Sequence, residues 1–205
     1  KMLHFPVAFP EVFLRERSGF DVIIGNPPWE KAIPKEDSFW LRFYPGFDGL
    51  PQREKEALKK KLYLERPDLV SILENERKYN KILRQSLKAG NFPGMGKGDP
   101  DLYKTFSWRF WFLTSSDSGR IGVVLPRSVL NALGSEDFRF VIFKESKSIE
   151  ITTLINKNKW IFDVDPRYSI ALLSITKSSV SSKSRLKIQG PYSSLKDYQE
   201  CLNKS

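Results

Sequence analysis

Four consecutive residues carry the most chemical information in this chain: Asn26, Pro27, Pro28 and Trp29. They supply an amide, two rigid prolines and a large aromatic surface. Such a set suits the handling of an aromatic amine. The lone pair of an exocyclic amine is delocalised into its ring, so the nitrogen is a poor nucleophile. An Asn side-chain oxygen and a backbone carbonyl are both acceptors and can hold the two amine hydrogens. That favours a more tetrahedral nitrogen and aims its lone pair. Prolines fix the backbone so that the carbonyl is already placed, which is electrostatic preorganisation. A base handled in this way must leave its stack, and an aromatic partner returns about 1–3 kcal/mol per base. No general base of unusual pKa is needed, which fits a motif with no histidine near it. The bland alternative is a strand-terminating turn with a core Trp, and placement in the fold separates the two.

The remaining chemistry is sparse. There is one cysteine, Cys201, and one histidine, His4. No internal disulfide or thiolate cluster can form, zinc recipes lack ligands, and no metal is expected. Cys201 lies in a polar stretch with no nucleophile motif around it. The formal net charge of +10 and pI near 9.6 favour a polyanionic partner. No apolar run approaches the roughly 20 residues of a membrane span. Residues 1–14 contain His4, two prolines and Glu11, which is not a signal peptide. A cytoplasmic setting without a membrane is the expectation.

The elements that must position the motif follow from the patterning. Residues 20–25 form a short β-branched run ending in Gly, read as a central parallel strand buried on both faces and stopped by the prolines. Residues 52–63 and 68–87 are helical, with Pro51 and Pro67 in first-turn positions. Their faces are mostly polar, so they read as an insertion. The glycines of residues 90–98 make a loop. Asp99 and Pro100 open a helix through Leu102, Tyr103, Phe106, Phe110, Trp111 and Leu113. Residues 121–125, 149–155 and 168–176 read as strands, with a further short one over 185–189. Residues 129–144 look helical but for Gly134, and 193–203 form a terminal helix. The fold class is α/β, the later half of an open sheet whose last strands form an antiparallel hairpin. One domain spans 1–190, with an insertion and Gly-rich loop over 30–98. Residues 191–205 begin a linker or helix.

Residues 20–29 resemble motif IV of the amino-methyltransferases that act on DNA. The run Asp101, Leu102, Tyr103, Lys104, Thr105, Phe106 is similar to their motif V, whose apolar side chains help enclose the cofactor. Residues 119–126 resemble motif VI, and residues 160–175 resemble motif VIII. In that family an aromatic at the position of Phe162 packs against the flipped base. The order IV, V, VI, VIII matches the gamma class. The large fused restriction–methylase enzymes and phage-exclusion methylases are the nearest in character, with a Phe-Pro-Glu-Val-Phe lead-in like residues 9–13. The resemblance covers roughly residues 9–176.

It implies a partial Rossmann-like methyltransferase fold acting with S-adenosyl-L-methionine on adenine N6 in double-stranded DNA. Asn26 and Pro27 would position the amine, Pro28 and Trp29 would complete the catalytic motif, and Trp29 and Phe162 would sandwich the base. Asp101, Leu102, Tyr103 and Phe106 would line the cofactor site. The family's first motif, a Gly-rich turn after its first strand, is absent, as is the acid that binds the cofactor ribose. The partners implied are an N-terminal half of the catalytic domain and a C-terminal target-recognition domain. The same motif also serves enzymes that methylate a protein glutamine or an RNA base. A non-catalytic DNA-binding or assembly module is the alternative of another class. A half sheet predicts an exposed apolar edge.

Overall fold

The computed structural model describes residues 3–31, 36–90, 92–95, 100–178 and 184–203. Two compact units emerge: Lys1–Lys31 with Asn91–Ser205, and Ala32–Gly90. The first begins with α1 (Phe5–Ala8), α2 (Pro10–Phe13) and β1 (Val22–Gly25). The chain then forms α3 (Glu36–Leu41), α4 (Gln52–Glu65) and α5 (Pro67–Ala89) of the second unit. It returns through α6 (Leu102–Leu113), β2 (Arg120–Pro126), α7 (Glu136–Glu145), β3 (Ser146–Ile155), β4 (Ser169–Lys177), β5 (Arg185–Tyr192) and α8 (Leu195–Leu202).

The five strands make one mixed sheet in the order β1-β2-β4-β3-β5. β1 is parallel to β2; β4 runs antiparallel to both β2 and β3; β5 is parallel to β3. The fold is α/β and is consistent with the later strands of a Rossmann-like methyltransferase sheet, including the expected β3–β4 hairpin. The alternation that makes β2 central is visible in its burial: Ile121, Val123 and Leu125 are all buried. They meet Ile175, Leu173 and Ala171 of β4 across the antiparallel ladder. Trp108 and Trp111 of α6 and Phe138 and Ile142 of α7 complete this core.

Three expectations need correction. β1 is an edge strand, paired with β2 alone among the described strands. Its Val22 and Ile24 are 55% and 84% exposed. An apolar β-branched run reports affinity for a sheet, not how many neighbours it has. The short final strand lies beyond the hairpin, parallel to β3, and extends to Tyr192. α6 opens at Leu102 with Asp101 as its N-cap residue, so Asp101 holds the place given to Asp99, which lies outside the described residues. The break expected at Gly134 is present: Arg127–Leu130 and Leu133–Ser135 form two 3-10 turns before α7.

The C-terminus of α6 is held by a buried lysine. Lys177 Nζ donates to the Trp111 and Thr114 carbonyls at 2.8 and 3.0 Å. It also lies over the Trp111 ring. Burial pulls its pKa down to about 8. The last carbonyls of a helix need such a partner, and a cation suits the negative end of the dipole.

The unit Ala32–Gly90 has a small core of its own. Phe39 and Trp40 of α3 pack with Phe47, Leu62, Leu69 and Leu73. Helices as polar as α4 and α5 gain stability chiefly from such a packed stripe. No helix among the described residues is long and apolar enough to cross a membrane.

Candidate functional site

Three connections converge on one end of the sheet. The carboxyl end of β1 leads into Asn26. The carboxyl end of β2 leads into Arg127 and Ser128, and that of β3 into the loop over residues 156–168, which feeds the amino end of β4. The register fixes this: Gly25 lies beside Val123, Pro126 beside Ile170, and Ile155 beside Ser169. In open α/β sheets this is the end at which ligands bind.

Gly25 leaves room for the Phe110 ring of α6 at the end of β1. A Cβ there would stand 3.0 Å from Phe110 Cζ of α6, tighter than ordinary packing allows. Asn26 follows, exposed. Among the described residues its side chain has no hydrogen-bond partner. Pro27 is buried, Pro28 exposed and Trp29 half-buried. The Trp29 ring packs against the main core. Its Nε1 donates to the Val124 carbonyl at 3.4 Å, a long bond. Its ring centroid lies 6.0 Å from that of Tyr168, tilted by 52°.

The backbone ties this segment to the start of α6. Leu102 N–H donates to the Glu30 carbonyl at 2.9 Å, and Lys31 and Asp101 form an isolated antiparallel bridge. The candidate catalytic run and the candidate cofactor run are therefore neighbours, although more than 70 residues separate them in sequence. Within the second run the roles divide. Asp101 is paired with the buried Lys104 at 2.8 Å. Tyr103 is buried, with its hydroxyl 3.1 Å from Ser128 Oγ. Leu102 is half-buried, and Phe106 is 37% exposed and lies against Phe110.

Phe162 sits in the 156–168 loop, half-buried. It makes no ring contact with Trp29; the ring beside Trp29 is that of Tyr168. The residue that shapes the loop is Asn156, which is fully buried. Its Oδ1 accepts from the N–H groups of Ile161 and Phe162 at 3.1 and 3.2 Å. Its Nδ2 donates to the Phe162 and Val164 carbonyls at 2.9 and 3.4 Å. One side chain thus holds Phe162 from both backbone groups. Trp160 Nε1 donates to the Ile155 carbonyl at 2.8 Å. Arg167 binds Asp165 at 2.6 Å and holds its carboxyl down at a pKa of about 2.

Sequence reasoning missed Asn156 and Tyr168. Asn156 sits among Lys157, Asn158 and Lys159, where nothing distinguishes it from a surface residue. Tyr168 did have a signal: it is an aromatic at the start of a strand that enters the sheet at the motif's end.

No family model matches the chain, and no curated protein matches it. Solved structures do. A DrdV–DNA complex is 16% identical over 90% of this chain, with a TM-score of 0.44. The Type ISP restriction-modification enzyme LlaBIII bound to DNA is 16% identical over 92%, with a TM-score of 0.46. A nuclease-deletion mutant of the Type ISP enzyme LlaGI with a DNA substrate mimic is 18% identical over 89%, with a TM-score of 0.43. The chain spans only 11–16% of the length of these three.

Proposed function

We propose that this chain forms the later half of the catalytic domain of an S-adenosylmethionine-dependent DNA adenine-N6 methyltransferase, acting in restriction–modification or phage defence. The observation that supports it is the state of Asn26. It stands at the ligand-binding end of the sheet, exposed, with no partner of its own among the described residues. Buried Pro27 and the packed Trp29 hold the backbone on either side. An amide spent on structure would be bonded within the fold, as Asn156 is.

In this reading the Asn26 side-chain oxygen accepts one N6 hydrogen of a flipped adenine and the Pro27 carbonyl accepts the other. Pro28 keeps the turn rigid. Trp29 and Phe162 present ring surface to the base. Leu102 and Phe106 leave apolar surface at the start of α6 for the cofactor, with Tyr103 beneath, and Asp101 orders that turn through Lys104. The cofactor supplies the electrophilic methyl group. The exposed edge of β1, with Val22 and Ile24, is where the strands of an N-terminal half would pair. Target recognition falls to a further C-terminal domain.

The test is single-turnover methyl transfer from labelled S-adenosylmethionine to duplex DNA by the longer protein containing this chain. One preorganised acceptor is worth about 2.7–4 kcal/mol, or roughly two to three orders of magnitude in rate. Asn26→Ala should lose that much while keeping its duplex affinity, because affinity comes mostly from Lys and Arg contacts to phosphates. Methylation by Asn26→Ala at near wild-type rate would remove the assignment.

A further inference from the structure

Helix α5 changes character at Arg77. All nine acidic residues of Ala32–Gly90 precede that position. From Arg77 to Lys88 there are five basic residues and no acid. Four of them, Arg77, Lys81, Arg84 and Lys88, recur at helical spacing on one face. With Gln85, their side chains line a single open groove.

The same unit shows what cations look like when they serve structure. On α4, Lys59 is paired with Asp37 and Glu56 at 2.7 and 2.9 Å, and Lys55 with Asp48 at 3.4 Å. On α5, Arg77 is held by Glu36 and Tyr63. Lys81, Arg84 and Lys88 have no ion pair among the described residues. The helix dipole accounts for Lys88 in the last turn, but its effect fades within that turn and leaves Lys81 and Arg84 unexplained. Arrayed cations that neutralise nothing in their own fold repel one another, by a few tenths of a kcal/mol per neighbouring pair.

We infer that this stripe docks on the phosphate backbone of duplex DNA. The inference rests on the DNA-acting reading above and adds a surface to it. Arg77 to Lys88 spans about 16 Å along the helix at about 1.5 Å per residue. One DNA strand presents a phosphate about every 3.4 Å of axial rise, so the stripe matches the rise of roughly five phosphates. Long flexible cations on a polar helix fix a protein on the duplex without reading its sequence.

The test is duplex binding by the 205-residue chain, followed by fluorescence anisotropy across a salt series. The variant carries Lys81→Gln, Arg84→Gln and Lys88→Gln. A control of equal charge change carries Arg53→Gln, Lys60→Gln and Lys61→Gln on α4. Each phosphate contact contributes about 0.9 to the slope of log affinity against log salt. The stripe variant should lose about 2–3 from that slope and the control less than about 1. Lys81→Arg with Lys88→Arg should keep the slope, which separates charge from fold. Equal losses in both triple variants would overturn the stripe while leaving duplex binding in place. Preference for single-stranded RNA of equal charge would assign the surface to another polyanion and also overturn it. Absence of any duplex binding by the wild-type chain would remove the stripe, while the DNA-acting reading would still stand or fall on methyl transfer by the longer protein.

Discussion

The two connections that carry the candidate site are built in opposite ways. The segment after β1 is held by covalent stiffness and close packing: Gly25 against Phe110, two prolines, and a Trp lodged on β2. Its candidate amide, Asn26, has no side-chain hydrogen-bond partner among the described residues. The loop between β3 and β4 is held by polar groups converging on one buried amide, Asn156, with ion pairs around its rim. Both present aromatic side chains at the same end of the sheet. Rigidity that comes from residue type frees a polar side chain for a ligand. Rigidity that comes from hydrogen bonds consumes one.

The comparison breaks first if Asn156 is dispensable. Asn156→Ala removes four side-chain hydrogen bonds and leaves two N–H groups and two carbonyls to find water. Unsatisfied buried groups cost about 1–3 kcal/mol each, and net bonds about 1. Partial exposure of the loop discounts the sum, so a loss of about 3 kcal/mol in urea unfolding is expected. The pairs Lys159–Asp163 and Arg167–Asp165 cannot compensate. Asp163 and Arg167 are each 90% exposed, and such pairs contribute only about 0–1 kcal/mol. A loss below about 1 kcal/mol would mean that the strand ends alone hold the loop.

The second effect is smaller and tests packing. Gly25→Val places methyl groups where Phe110 already stands. Overpacking of this kind costs about 1–3 kcal/mol, so a loss of about 2 in thermal unfolding is expected. Phe110→Ala alone also destabilises. In the double variant the two losses should fall short of their sum by at least about 0.5 kcal/mol, the signature of residues in contact. Strict additivity would show that Gly25 is there for some other reason.

The same contrast decides what was legible. β1, β2, the hairpin and α6 could be read from runs of Ile, Val and aromatics closed by Gly and Pro, because burial selects those residue types directly. The end of β1 before Asn26–Trp29 could be read because stiffness was written in that motif's prolines. Three things could not be read. The edge position of β1 depends on partners that its own residues do not encode. The start of α6 moved two residues, since Asp99, Pro100 and Asp101 all suit a helix entrance. Asn156 is one amide in a polar run, and only the return of the chain at Phe162 and Val164 gives it four partners.

The smallest expected effect sharpens the comparison most. Asn26→Ala should change the stability of this chain by less than about 0.5 kcal/mol, the range of surface substitutions away from special features. Nothing in the fold depends on the amide: it is exposed and unbonded among the described residues, and its neighbours Pro27 and Trp29 hold the turn without it. Ala is also a permissible residue where a strand gives way to proline, since the position before Pro favours extended backbone that any L-residue adopts. Paired urea curves for Asn26→Ala and Asn156→Ala would then separate two asparagines that look alike in sequence. Asn156 should be costly to remove from the fold and Asn26 nearly free, while in the longer protein proposed above only Asn26→Ala is expected to slow the chemical step directly. A loss of more than about 1.5 kcal/mol for Asn26→Ala would place that amide in the fold and end the case for its being held ready for a substrate.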